Sequence, residues 1–342
     1  TGHARLRRRL EDALRDRGLS ETVSYSFIAP SALDRLRLGD RHSAGAQAGR
    51  RPAEHRRSTP APALAIANPL SVDQSVMRPL LLPGLLDAAR HNAAHDRPHV
   101  ALFESAHVYR PSAVPPPRSG HGPQSSPRGT HPSDEHHHLA VLMVGVIEGG
   151  WRSLPVRADF FALRAVLEAV MSAAGVTWRA EPALRAYLHP GRTAAILAGD
   201  REIGWLGELH PLVTSEWELG ERPAAAFELD LDGLAVLAGE AEAVFSDVTS
   251  FPAVLQDIAV VVPEGVPARR VQEAVFQGGG ELLRCAGVFD LFRGEQLGEG
   301  HKSLALRLEF RAPDRTLTDE EVAARRSSIE GALEEIGGRL RA

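Results

Sequence analysis

Several things are scarce in this chain of 342 residues, and each scarcity excludes something. Cysteine occurs once, as Cys285, so neither an internal disulfide nor a paired-cysteine metal knuckle can form, which fits a reducing, cytoplasmic compartment. The longest apolar run, residues 139–147, is nine residues, well short of the roughly 20 that a bilayer-spanning helix needs. No membrane contact is expected. The first ten residues are Arg-rich and no apolar segment follows, so no signal peptide is read there. Residue 1 is Thr, and the chain is expected to start inside a longer protein. Lysine is nearly absent: Lys302 is alone among 39 basic residues, which reads as codon usage of a GC-rich coding sequence.

What is present describes folded protein. Hydrophobic residues make up 43% and charged residues 24%, ordinary for globular domains and enough for two or three of them. The formal net charge is −5, but its distribution is uneven. Residues 1–60 hold 13 Arg against 7 acidic residues, and every later region is net acidic. Contact with a nucleic acid must therefore come from local patches.

Periodicity divides the chain in two. Over residues 1–240, Leu6, Leu10 and Leu14 predict a first helix ending at Gly18, and Val23, Tyr25 and Phe27 alternate with polar residues as a half-buried strand. Further strands are expected at 64–67, 100–103, 107–109, 139–147, 193–198, 202–209 and 223–231. Helices are expected from Pro30 to about Leu38, from about Pro83, and over 159–174, so this half is an α/β module on a mixed or antiparallel sheet. Residues 39–61 and 111–138 read as low-complexity excursions. From a boundary near Val244, residues 245–342 predict the order β-α-β-β-α-β, a ferredoxin-like domain, with Thr318 and Glu321 as a capping box.

Single residues that suggest chemistry have plainer readings beside them. His136-His137-His138, with His121 and His131, could bind a transition metal, yet the insert has no regular backbone to fix their geometry. Cys285 reads as a packed thiol. His189, Arg192 and His210 look catalytic, but no GxSxG elbow accompanies them and turn roles fit better. Gly278-Gly279-Gly280 is a helix stop rather than a phosphate cradle. Glu104 reads as a sheet-edge hydrogen-bond partner.

Longer strings are more specific. Asn68-Pro-Leu-Ser-Val-Asp-Gln-Ser-Val-Met-Arg78, Leu82-Pro-Gly-Leu-Leu86, Leu102-Phe-Glu104, Leu188-His-Pro-Gly-Arg192 and Ile203-Gly-Trp-Leu-Gly-Glu-Leu-His-Pro211 resemble the catalytic-like module of the bacterial phenylalanine–tRNA ligase beta-subunit family. Phe292-Arg-Gly-Glu295, Gly298-Glu-Gly-His-Lys-Ser-Leu304 and Asp314-Arg-Thr-Leu-Thr-Asp-Glu-Glu-Val322 resemble its ferredoxin-fold anticodon-binding domain. The resemblance implies a class II synthetase-like module without catalytic residues, docked through apolar surface on an alpha subunit within an (αβ)₂ assembly that charges tRNA(Phe). ATP and Mg²⁺ would be used at the alpha subunit. No metal site is expected in this chain, nor the family's editing domain, both of which lie upstream.

The departures support the loss of chemistry. Class II enzymes grip the nucleotide with an Arg-x-Glu strand and a Gly-x-Gly-x-Gly-x-x-Arg motif; here Leu102 precedes Glu104 by two and the second motif is absent. At the anticodon the resemblance implies Phe292 for stacking and Ser303 for a base edge, with Arg293, Lys302 and Arg315 toward phosphate. Leu255-Gln256 stands where two arginines are usual. Two other readings stay open: a stand-alone enzyme re-evolved around His189, Arg192 and His210, or an amino-acid sensor on the ferredoxin-like fold.

Overall fold

The computed structural model describes residues 2–38, 56–57, 63–111, 133–148, 154–238 and 251–341. The chain divides into two compact units, residues 1–242 and 243–342. Most of both excursions lies outside the described residues.

The first unit runs α1 (Gly2–Arg15), β1 (Ser20–Glu21), β2 (Phe27–Ile28), α2 (Pro30–Arg35), β3 (Arg56–Arg57), β4 (Val76–Met77), α3 (Leu82–Ala94), β5 (Val100–Pro111) and β6 (Ser133–Val144). It continues with β7 (Val146–Ile147), β8 (Val156–Arg157), α4 (Phe160–Ala174), β9 (Arg179–Leu184), β10 (Leu188–Ala198), β11 (Arg201–Leu209), α5 (Pro211–Glu216), β12 (Ala224–Asp230) and α6 (Leu231–Ala238). Eight strands form one sheet in the order β1-β5-β6-β12-β11-β10-β9-β3, antiparallel except at the two short edge strands. This is the mixed sheet expected of the module.

Both faces of that sheet are covered. Leu6, Leu10 and Leu14 of α1 join Leu163, Leu167 and Val170 of α4 and Leu234 of α6 over Phe103, Val141 and Phe227. On the opposite face Leu81, Leu82, Leu85 and Leu86 of the α3 region meet Leu102, Ala140, Leu142, Trp205 and Trp217. Burial on both sides explains why residues 139–144 read as an unbroken apolar run. Asp159 caps α4 by accepting from the amides of Phe161 and Ala162, and Gly175 (φ 69°) ends it in the left-handed region.

Several expectations change. Residues 22–26 form no strand: the alternation exists, but Val23 and Tyr25 face solvent while Thr22 and Ser24 turn inward to meet Phe103 and Glu104. Buried hydrogen bonding reverses the apolar reading. The stretch 64–67 contributes one bridge, Ala65 to Val76, instead of a strand. The two short strands at 100–109 are one, because β5 pairs with β6 over its whole length, from Val100–Val144 to Pro111–Ser133. His136, His137 and His138 therefore stand on a regular strand and not in the insert. Burial, with His107 and Arg7 nearby, pushes His137 down to about 4, so its imidazole is neutral at pH 7.

The second unit runs β13 (Val254–Pro263), α7 (Ala268–Gly279), β14 (Leu283–Phe292), β15 (His301–Phe310), α8 (Asp319–Glu334) and β16 (Arg339–Leu340). Its sheet order is β14-β15-β13-β16, the split β-α-β arrangement read from the sequence. The Thr318–Glu321 capping box is formed on both sides. Gly278 does more than stop a helix: a Cβ there would stand 2.5 Å from the Cα of Ile329, so its absence lets α7 and α8 touch. Cys285 is exposed, a correction to the packed thiol, because Leu283 and Ala286 take the inward positions across a register shift in β14.

Candidate nucleic-acid interface

Alternation along β15 sorts the second unit's sheet into two faces. Leu304, Leu306, Leu308 and Phe310 turn toward α7 and α8 and form the core with Val260 and Val262. Ser303, Ala305, Arg307 and Glu309 turn the other way, away from α7 and α8. An uncovered, half-polar sheet face is a platform on which single-stranded bases can stack.

Two aromatic rings stand on that face. Phe292, at the end of β14, is directly opposite Ser303. The guanidinium of Arg341 lies 5.5 Å from its ring centre, and Gly294 comes so near that a Cβ would meet the ring at 2.7 Å. The ring is 40% exposed, while Ser303 is 4% exposed between Phe292 and its other register partner, Val261. Ser303 thus forms the floor of the patch and not its rim. Phe289, beside the register shift in β14, lies under Arg307 at 5.3 Å. Arg307 also holds Asp257 through two bonds of 2.9 Å, and that bonding keeps the Asp257 carboxyl below its ordinary value. Phe289, Arg307 and Arg341 were not foreseen; the alternation of β15 places Arg307, but a strand irregularity that turns Phe289 outward has no sequence signal.

The residues assigned to phosphate are not all together. Arg293 is bonded to Glu264 (2.7 Å through Nη2), and Lys302 donates to the Glu264 carbonyl at 2.7 Å, so both stand at the Phe292 end. Arg315 follows Phe310 at the far end of β15, where it bonds Glu321 at 2.6 Å. Seven residues of strand separate Ser303 from Phe310, about 23 Å. Arg315 does not join this patch.

The first unit buries two of its carboxylates, Glu104 and Glu228. Glu104 accepts from the Ser24 amide (3.1 Å), the Ser24 hydroxyl (2.7 Å) and Arg78 Nη1 (2.8 Å), with both charged side chains buried. Glu228 accepts from the Leu81 amide at 3.0 Å and lies 2.6 Å from His138 Nδ1. Glu104 is thus an interior anchor on β5, a correction to the sheet-edge role.

Comparison with known proteins matches both units. The family model for the phenylalanyl tRNA synthetase beta chain CLM domain covers residues 1–231, and that for the ferredoxin-fold anticodon binding domain covers 249–341. The chain belongs to the phenylalanyl-tRNA synthetase beta-chain family. A phenylalanine–tRNA ligase beta subunit of Moorella thermoacetica is 41% identical over 328 residues, 95% of this chain and 36% of that protein. One from Thermobifida fusca is 36% identical over 351 residues, 98% of this chain and 40% of the relative. A pyrrolysyl-tRNA synthetase structure from Desulfitobacterium hafniense aligns with TM-score 0.44 and 18% identity, covering 68% of this chain and 66% of its own. The chain spans little more than a third of the length of the curated relatives first matched.

Within this beta-chain family member, neither Leu102 nor Glu104 is open to a nucleotide. Leu102 occupies the place of the motif arginine and is packed among Leu80, Leu81 and Leu82, while both oxygens of Glu104 are taken. The histidines meet local needs: His189 Nδ1 accepts from the Gly191 amide and His210 Nδ1 from the Leu212 amide, both at 3.1 Å. Arg192 bonds Glu208 at 2.6 Å. Burial, then Arg37 and His189, lowers the pKa of His210 and keeps it a neutral helix cap.

Proposed function

We propose that this chain is the C-terminal, non-catalytic part of a phenylalanine–tRNA ligase beta subunit, working in the cytoplasm. The first unit docks the catalytic alpha subunit of an (αβ)₂ assembly, and the second holds the anticodon of tRNA(Phe). ATP and Mg²⁺ belong to the alpha subunit, a reading supported by the burial of Leu102 and Glu104. The observation that carries the reading is the exposed Phe292 ring between Gly294 and Arg341 on the sheet face turned away from α7 and α8. There a base can stack against the ring while the guanidinium meets its phosphate or its π face. Docking is supported by apolar side chains turned to solvent around the β2–β4 ribbon, with Val23 88% and Leu70 100% exposed beside Tyr25 and Val72.

The test is a filter-binding titration of tRNA(Phe) with the assembled ligase. Phe292→Ala is expected to weaken binding by about 1–3 kcal/mol. Unchanged affinity would remove Phe292 from the interface.

A further inference from the structure

One feature of the sequence is not absorbed by that function: the three consecutive histidines that β6 places at the end of the sheet. We propose that His136, Asp230 and Asp232 bind a divalent transition-metal ion of the zinc class. One ligand atom from each of the three lies within 4.8 Å of the others, and all three residues are half-buried. A zinc-type site with bonds of about 2.1 Å sets its ligand atoms about 3.4 Å apart, so side-chain rotations of about 1 Å close the set. One imidazole and two carboxylates suit such an ion, with water completing the shell.

The surroundings hold the ligands as a metal site requires. Asp232 commits Oδ2 to the His137 amide at 2.8 Å, and Asp230 commits Oδ1 to the Gly233 amide at 2.9 Å. Each carboxylate is thereby oriented through one oxygen and keeps the other for an ion. Arg201 lies 3.4 Å from Asp230 Oδ2 and His3 Nδ1 lies 3.9 Å from Asp232 Oδ1, and such long surface pairs yield easily. The His136 imidazole makes no hydrogen bond to a described residue. Asp232 also lines a cavity of about 250 Å³ with Arg7, His3, His107 and His137, so an ion would reach it past one guanidinium and three imidazoles. The ion would tie the strand at which the 112–132 insert returns to the β12–α6 junction. This inference stands apart from tRNA binding and from the alpha subunit.

The full chain, stripped with chelator, is titrated with Zn²⁺ by calorimetry and with Co²⁺ by visible absorption. Saturation at one ion per chain, with a Co²⁺ spectrum of low coordination number, is expected. His136→Ala and Asp232→Asn should each lower affinity by about tenfold or more. The asparagine keeps the acceptor for the His137 amide, so that variant keeps the fold. His121→Ala with His131→Ala should leave affinity unchanged. Wild-type affinity in His136→Ala and Asp232→Asn, loss of binding in the insert variant, or no saturation at one ion per chain would overturn the site.

Discussion

The two units use the same pair of groups, arginine and carboxylate, in opposite environments. In the first, Arg78 and Glu104 meet at 2.8 Å between a sheet and its covering leucines. In the second, Arg307 and Asp257 meet at 2.9 Å with both side chains exposed, on the sheet face turned away from α7 and α8. A buried pair is costly to desolvate, and removing one partner leaves an uncompensated charge. An exposed pair is screened and adds little. The buried pair therefore serves architecture, and the exposed one leaves its arginine and the ring of Phe289 open to a partner. The first unit buries this pair, and the smaller unit presents its own.

That contrast can be broken by experiment. Arg78→Ala is expected to cost the first unit about 3–5 kcal/mol, seen as faster hydrogen exchange across residues 100–111. A loss under about 1 kcal/mol would mean that water already reaches Glu104. Gly278→Ala, which forces a Cβ toward the backbone of α8, should destabilise the second unit by about 1–3 kcal/mol in denaturant melts. Thr318→Ala removes the acceptor for the Glu321 amide and should cost about 1 kcal/mol in the same measurement. Arg307→Gln should leave the melting midpoint where it is while weakening tRNA binding. A shifted midpoint with unchanged binding would reverse the comparison.

Acid should separate the units further. Hydrogen bonds from arginines hold Asp257, Glu264 and Glu273 below their ordinary values, and the Thr318 amide with Arg315 does the same for Glu321. Each depressed carboxyl contributes stability that is complete above its unfolded value, near 4 to 4.5, and lost as pH falls through its lower folded value. Thermal melts of the second unit should decline in that acidic window, and added salt should shrink the decline.

The second unit was legible almost entirely, because Leu304, Leu306, Leu308 and Phe310 alternate without interruption and Thr318 with Glu321 marks a helix start. The first unit was legible where apolar runs meet the core and misread where polar side chains go inside. Thr22 and Ser24 turn inward only because Phe103 and Glu104, some 80 residues away, wait for their hydrogen bonds. The helices α5 and α6 went unread, since 6 and 8 residues give too little period to detect. At the candidate site, Phe292 and Ser303 were placed as neighbours in advance, whereas the separation of Arg315 and the arrival of Arg341 were not. The order of residues alone determined most of the longer strands and helices and the family strings they spell, because those depend on near neighbours. Which face of each sheet is covered, and so which arginines are spent on carboxylates inside and which stay open, was decided by long-range packing. Burial is a property of the assembled layers, and no local pattern records it.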